Sequence, residues 1–207
     1  MTELLDIFDE NYNPIAPFHQ SKDVVHQQGL WHQTFHCFMV EKNEGKVFFQ
    51  LNRKKNNNFK PLLTPSSAGH IQAGEKIQNG IREIKEELGI EITFSDLSFI
   101  GMQKRVADYL ETGYHDREFI HIYILPKNLL SEHIKLDKSE VNGLFSISIK
   151  DGLDLFRGLK KKITISGIEL EKDEYKDKTL TVSQSDFVIQ PENYYLNVFQ
   201  AASKFCK

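Results

Sequence analysis

The chain is expected to fold as an α+β protein. Runs of alternating or continuous apolar residues are joined by turn-forming residues into hairpins, other segments carry apolar residues at helical spacing, and the two kinds alternate along the chain. Leu4 to Phe8 reads as a strand, closed by Asp9-Glu10-Asn11-Tyr12-Asn13-Pro14, where Asn and Pro form the turn. Ser21-Lys22-Asp23-Val24 opens a short capped helix that ends near Gly29. Trp31 to Val40 alternates Phe35, Cys37 and Met39 against Thr34, His36 and Phe38, the pattern of a largely buried strand. Lys42-Asn43-Glu44-Gly45 turns it into a second strand, Lys46 to Arg53. Lys54 to Lys60, with three consecutive asparagines, is expected to be a mobile loop.

Ile77, Ile81, Ile84 and Leu88 then recur at spacings of four, three and four, one apolar stripe on a helix. Gly80 permits close backbone approach there, and Gly89 followed by Ile90 reads as a left-handed cap. Strands follow near Glu91–Thr93, at Ser98–Asp108 and at Phe119–Leu125, with a turn at Glu111-Thr112-Gly113 and a stop at Pro126. Gly152 to Leu159 is a helix signal. Ile163–Leu170 and Thr179–Ser183 form a hairpin through a charged loop, and Pro191 opens an amphipathic helix with Tyr195, Leu196, Phe199 and Phe205. Residues 1–150 are expected to form the main domain, with 151–207 an extension packed on it.

Composition narrows the function classes. The chain has 207 residues, 40% of them apolar and 27% charged, ordinary globular values. A net charge of -3 with a pI near 6.2 leaves no footprint for nucleic acid. Lys160-Lys161-Lys162 is the one basic cluster and reads as a solvated strand start. Cys37 and Cys206 make neither a disulfide framework nor a metal spacing. No run approaches the ~20 apolar residues of a membrane span, and the N-terminus is acidic where a signal peptide is basic. A cytoplasmic, reduced protein with no membrane or nucleic-acid partner is expected, with homodimerisation left open.

The chemistry is written between Gly69 and Ile90. Glu83, Glu86 and Glu87 fall together on one arc of the helix beside the apolar stripe. Like charges at such spacings each cost on the order of 0.2–0.5 kcal/mol in a free helix, so the cluster works against stability unless a cation lies on it. Hard carboxylate ligands suit Mg²⁺ or Mn²⁺. An ordinary solvated acidic face would not need Gly69, Gly74 and Glu75 ahead of it. Gly74-Glu75 looks like a turn that aims a carboxylate back at Arg82.

This segment resembles the box of the Nudix hydrolases, with Gly69, Glu75, Arg82, Glu83, Glu86, Glu87 and Gly89 at its fixed positions. Six residues separate Glu75 from Arg82 where the usual box has seven, which reads as a shortened loop before the helix. The resemblance implies an α/β/α sandwich around a mixed sheet, here followed by the C-terminal hairpin and helix. It also implies Mg²⁺ (or Mn²⁺) held by Glu83, Glu86, Glu87 and the backbone carbonyl beside Gly69, with Glu75 and Arg82 structural. The planar fork of Arg82 fits the orienting of carboxylates. The implied reaction is hydrolysis of a diphosphate linkage in a nucleoside diphosphate derivative, with Glu83 or Glu118 taking the proton of water. The substrate is expected to be a small molecule, selected by variable loops that the sequence does not decode.

The surroundings of the box are also similar to type 1 isopentenyl diphosphate isomerase, a Nudix-fold enzyme. By order and spacing, His26, His32, His70, Asp116 and Glu118 match its divalent-metal ligands, and three imidazoles with two carboxylates suit a transition metal. His26 to His32 is one residue shorter than that pattern. The isomerase has its proton-transferring cysteine immediately before the box glycine, where this chain has Ala68, while the carboxylate helix that the isomerase has degraded is intact here. Cys37, mid-strand, reads as a small core residue. His36, His121 and His133 read as ordinary surface or core histidines, and Trp31 and Phe35 as packing residues. The favoured reading is a pyrophosphohydrolase. An isomerase and a non-enzymatic nucleotide-sensing module are the alternatives.

Overall fold

A computed structural model of the chain describes residues 3–52, 61–109, 111–127 and 134–206. The loop expected at Lys54–Lys60, Arg53 at the expected end of the second strand, and His133 all lie outside them. In chain order the elements are β1 (Leu4–Phe8), β2 (Pro14–Ser21), α1 (Lys22–Gln28), β3 (His32–Glu41), β4 (Lys46–Asn52), β5 (Leu63–Pro65) and β6 (Ser67–His70). Then come α2 (Ile81–Leu88), β7 (Ser98–Tyr109), β8 (Tyr114–Lys127), β9 (Val141–Ser148), α3 (Ile149–Phe156), β10 (Ile163–Glu171), β11 (Glu174–Val182) and α4 (Tyr194–Ala202).

Among the described residues, β11-β10-β9-β4-β3-β8-β7 lie side by side in one mixed sheet, with β5 added to β4 and β6 to β3. β3 and β8 run parallel along His32 to Glu41, and the other pairs are antiparallel. β1 and β2 form a separate antiparallel ribbon. The alternation expected in β3 separates two cores. Phe35, Cys37 and Met39 face α2 and pack with Ile84 and Leu88. Phe38 and Val40 face the other way, with Leu155 of α3 and Val198 and Phe199 of α4. Helices on both faces of one sheet make the expected sandwich.

Several elements depart from expectation for local reasons. No strand forms at Glu91–Thr93. Ile90 and Ile92 alternate because they pack on the α2 core, while Thr93 caps a 3₁₀ turn at Phe94–Asp96 through the Asp96 carboxylate. β2 and β9 were not foreseen, since Pro14 and Pro17 interrupt one and Gly143 and alternating serines the other. Ser21 stands at the start of α1 but makes no side-chain cap bond. α3 begins three residues early, where Ser148 accepts a hydrogen bond from the Asp151 backbone N–H. α4 begins at Tyr194 rather than Pro191, after Asn193 adopts a left-handed φ of 60°. The boundary expected at residue 150 falls inside α3, and β10 pairs directly with β9.

Candidate active site

The carboxylate helix is held against β6 by glycines where it must come close. A Cβ at Gly69 would collide with the Glu83 carboxyl, and one at Gly80 would collide with the Phe35 ring. Ahead of α2, Ile77–Gly80 winds as a 3₁₀ turn. Such a turn rises ~2.0 Å per residue against ~1.5 Å in an α-helix. Four of the six residues between Glu75 and Arg82 lie in this turn. Gly89 ends the helix at φ 68°, its N–H bonding to Lys85.

Arg82 organises the acids around it. Its guanidinium lies 2.8 Å from Glu83 Oε1, 3.1 Å from Glu86 Oε2 and 3.6 Å from Glu75 Oε2. It also donates to the His70 backbone carbonyl at 3.3 Å. Glu87 is buried and accepts from the Ala68 backbone N–H at 3.2 Å, whereas Glu86 is exposed. Burial pushes the Glu83 carboxyl up to about 7 despite the opposing pull of Arg82. It pushes Glu87 to about 8. A buried carboxylate beside a half-buried one resists being charged with it, the condition that a divalent cation relieves.

The histidine constellation converges. One ring nitrogen from each of His26, His32 and His70 lies within 4.8 Å of the others, close enough for the three to share a metal ion. His26 Nδ1 lies 2.7 Å from the Lys22 carbonyl and His32 Nδ1 lies 2.9 Å from the Leu30 carbonyl. A carbonyl only accepts, so both Nδ1 atoms carry the proton and both Nε2 lone pairs are free. The Nε2 atoms of all three rings are buried without a hydrogen-bond partner. Burial holds His32 at about 3 and lowers His26 and His70 as well, so the rings are neutral and competent as ligands.

Asp116 and Glu118 stand on β8 beside this triad. Asp116 Oδ1 is 3.6 Å from His26 Nε2, and Glu118 is the register partner of His32. Burial raises both acids, Glu118 to about 7, against the attraction of Arg105. Arg105 is a residue that sequence reasoning missed. Its guanidinium lies 3.1 Å from Asp116 Oδ2 and 3.2 Å from Glu118 Oε2, and donates to the Tyr109 hydroxyl at 2.7 Å. Its signal was parity, because Arg105 shares the inward face of β7 with Gln103 while Lys104 and Val106 point out. The carboxylate helix and the triad meet at β6, where Gly69 abuts Glu83 and its successor His70 joins the imidazoles.

The residues set aside as structural are buried or paired as expected. Cys37 is fully buried, which pushes its thiol well above the ordinary range. His121 lies 3.1 Å from the Tyr12 hydroxyl and His36 2.6 Å from that of Tyr194. Trp31 packs on Phe119 and Phe35 on Tyr123. Among the described residues, no helix is long and apolar enough to cross a membrane.

The NUDIX domain family model matches residues 30–164. An uncharacterised Nudix hydrolase from Clostridium acetobutylicum is 38% identical over 207 residues, covering 96% of each chain. An isopentenyl-diphosphate Delta-isomerase from Serratia proteamaculans is 32% identical over 126 residues, 60% of this chain and 66% of its own length. Among solved structures, a Deinococcus radiodurans protein superposes with a TM-score of 0.53 at 18% identity, covering 75% of this chain and 90% of the other, a likeness of fold. With the family model spanning more than half its length and a near full-length relative above 30% identity, the chain belongs to the Nudix hydrolases, enzymes of the pyrophosphohydrolase type.

Proposed function

We propose that this enzyme hydrolyses the diphosphate linkage of a nucleoside diphosphate derivative, using Mg²⁺ or Mn²⁺ held by Glu83, Glu86, Glu87 and the Gly69 carbonyl. The observation that carries the reading is the intact carboxylate set tied through Arg82 to the end of β6, with Ala68 where an isomerase needs a thiol. The residues fit a cation, since burial pushes the half-buried Glu83 carboxyl up to about 7 and the buried Glu87 carboxyl to about 8, while the charge of Arg82 is shared among Glu75, Glu83 and Glu86. A divalent cation there supplies polarisation of a phosphoryl oxygen and acidifies water. Arg82 fixes the side-chain directions of Glu83 and Glu86 before substrate arrives. Glu83 and Glu118 are the two groups suited to take the proton from water, because burial pushes both carboxyls up to about 7, which matches a base working at neutral pH.

A second, transition-metal site at His26, His32 and His70, completed by Asp116 and Glu118, is supported by the three buried Nε2 atoms that lack partners. The likeness to an isopentenyl-diphosphate isomerase keeps isomerisation as the second reading. Product analysis across a panel of nucleoside diphosphate derivatives, with Mg²⁺ and Mn²⁺, tests the first reading. Phosphoanhydride cleavage of at least one of them is expected. Incubation with isopentenyl diphosphate in heavy water should give no deuterium in the substrate, because neither Ala68 nor the sequestered Cys37 can donate a proton. Deuterium incorporation without hydrolysis would reverse the assignment.

A further inference from the structure

The two edges of the mixed sheet are built differently. Among the described residues, β11 closes one side and β7 the other, and no strand lies beyond either. A free edge presents a row of unpaired backbone N–H and C=O groups, and charged side chains on it discourage a second chain from joining. β11 follows that rule, since its exposed residues are Glu174, Lys176, Asp177, Thr179 and Thr181, all polar. β7 does not. Phe99, Met102 and Val106 stand exposed on one face of it, Val106 to 60%, and none of the three takes part in the chemistry above.

The charges on β7 select what can join it. Lys104 and Asp108 flank Val106 on the same exposed face, one on each side. When two copies of β7 run antiparallel about a two-fold axis, an axis at Val106 sets that residue against its own copy. It also sets Lys104 opposite Asp108 twice, and opposite charges directly across a strand pair stabilise it. An axis at Lys104 or Asp108 would oppose like charges, one at Arg105 would bring two guanidiniums together, and one at Ala107 would set Val106 against Asp108. Both charged side chains are accessible. Asp108 takes His115 and Arg117 on Oδ1, which leaves Oδ2 for a lysine, and Lys104 Nζ lies over the Trp31 ring at 5.6 Å on the exposed face. The bulge between Phe99 and Gly101 lies outside the paired window.

We propose that the β7 edge is a homodimer interface, at which two copies of this chain pair antiparallel through residues 103–109 about a two-fold axis at Val106. One sheet then runs through both copies. The occupant is a second copy rather than a foreign strand because the charge pattern of β7 complements itself. Arg105 and Tyr109 lie within the paired window, so the junction fastens the strand whose guanidinium holds Asp116 and Glu118. The inference stands apart from the hydrolase reading and holds whatever the substrate is.

Sedimentation velocity of the wild-type chain at rising concentration should reach twice the mass of one copy. Val106→Asp sets two carboxylates at the axis and should weaken dimerisation about tenfold or more, with an unchanged circular dichroism spectrum. Lys104→Asp and Asp108→Lys should each be monomeric alone and form a heterodimer when mixed, because the exchanged charges again face opposite ones. In a Cys206→Ser background, Val106→Cys should cross-link under mild oxidation, since an axial pair sets its Cα atoms within the ~4.4–6.8 Å that a disulfide spans. Met102→Cys, well away from the axis, should not. A wild-type chain that stays single at high micromolar concentration overturns the self-pairing and leaves the edge to another protein's strand. A dimer indifferent to Val106→Asp, or no heterodimer on mixing two folded charge variants, overturns the interface. Should Asp108→Lys fail to fold, the cross-link decides, and its absence in Val106→Cys or its equal presence in Met102→Cys overturns the register.

Discussion

Glu87 carries opposite demands of stability and function on one side chain. It is buried, burial raises its carboxyl to about 8, and it accepts a hydrogen bond from the Ala68 backbone N–H. A Gln at this position keeps an acceptor for that N–H and removes a carboxyl that repels Glu83 once both ionise. Losing an outer partner of a metal ligand typically costs 10–100-fold in metal affinity or activity, so losing a ligand should cost at least ~100-fold. Glu87→Gln is therefore expected to abolish most turnover while its melting temperature stays level or rises. Glu86→Gln should also cut turnover, but Glu86 is exposed, so its ion pair with Arg82 contributes little to stability. Thermal melts beside steady-state rates at saturating Mg²⁺ decide both. Near-wild-type rates in either variant would remove the carboxylate helix from the mechanism.

The helix α2 also shows which features of a site a sequence displays. Its apolar stripe, its carboxylate arc and its Gly89 cap depend on neighbours three or four residues apart, so they were legible before the fold was known. Gly80 was legible as a point of close approach, and the structure supplies the partner, the Phe35 ring of β3. Gly80→Ala should overpack this contact and destabilise the protein by ~1–3 kcal/mol, measured as a lowered urea midpoint with an unchanged slope. A neutral substitution would mean that α2 can move off the sheet. The order of His26, His32, His70, Asp116 and Glu118 was readable as well, although not the fact that Arg105 lies against both acids. That pairing is set by the β7–β8 register, and the His36–Tyr194 contact by docking of a helix 158 residues away. Neither leaves a local periodicity.

At the scale of the whole molecule, buried titratable groups should give the metal-free protein a stability optimum between two opposing trends. Burial lowers His36 to about 3 and His121 to about 4, both from 6.5 in the unfolded chain. Their folded values are depressed, so the unfolded chain binds more protons below pH 6.5, and stability is lost as pH falls from there towards 3. Glu83 and Glu118 are raised to about 7 and Glu87 to about 8, all from 4.5. Their contribution has the other sign: it is present in full below pH 4.5 and lost as pH rises through 7 to 8. The melting temperature of the chelated protein should therefore peak between about pH 4.5 and 6.5 and decline on both sides. Mg²⁺ should raise it chiefly on the alkaline side, where carboxylates must be charged to bind a cation. His121→Phe should flatten only the acid limb, by up to about one proton taken up on unfolding near pH 5. A chelated protein whose midpoint climbs steadily to pH 8 would show that the carboxylates of α2 and β8 are not held in the environment described here.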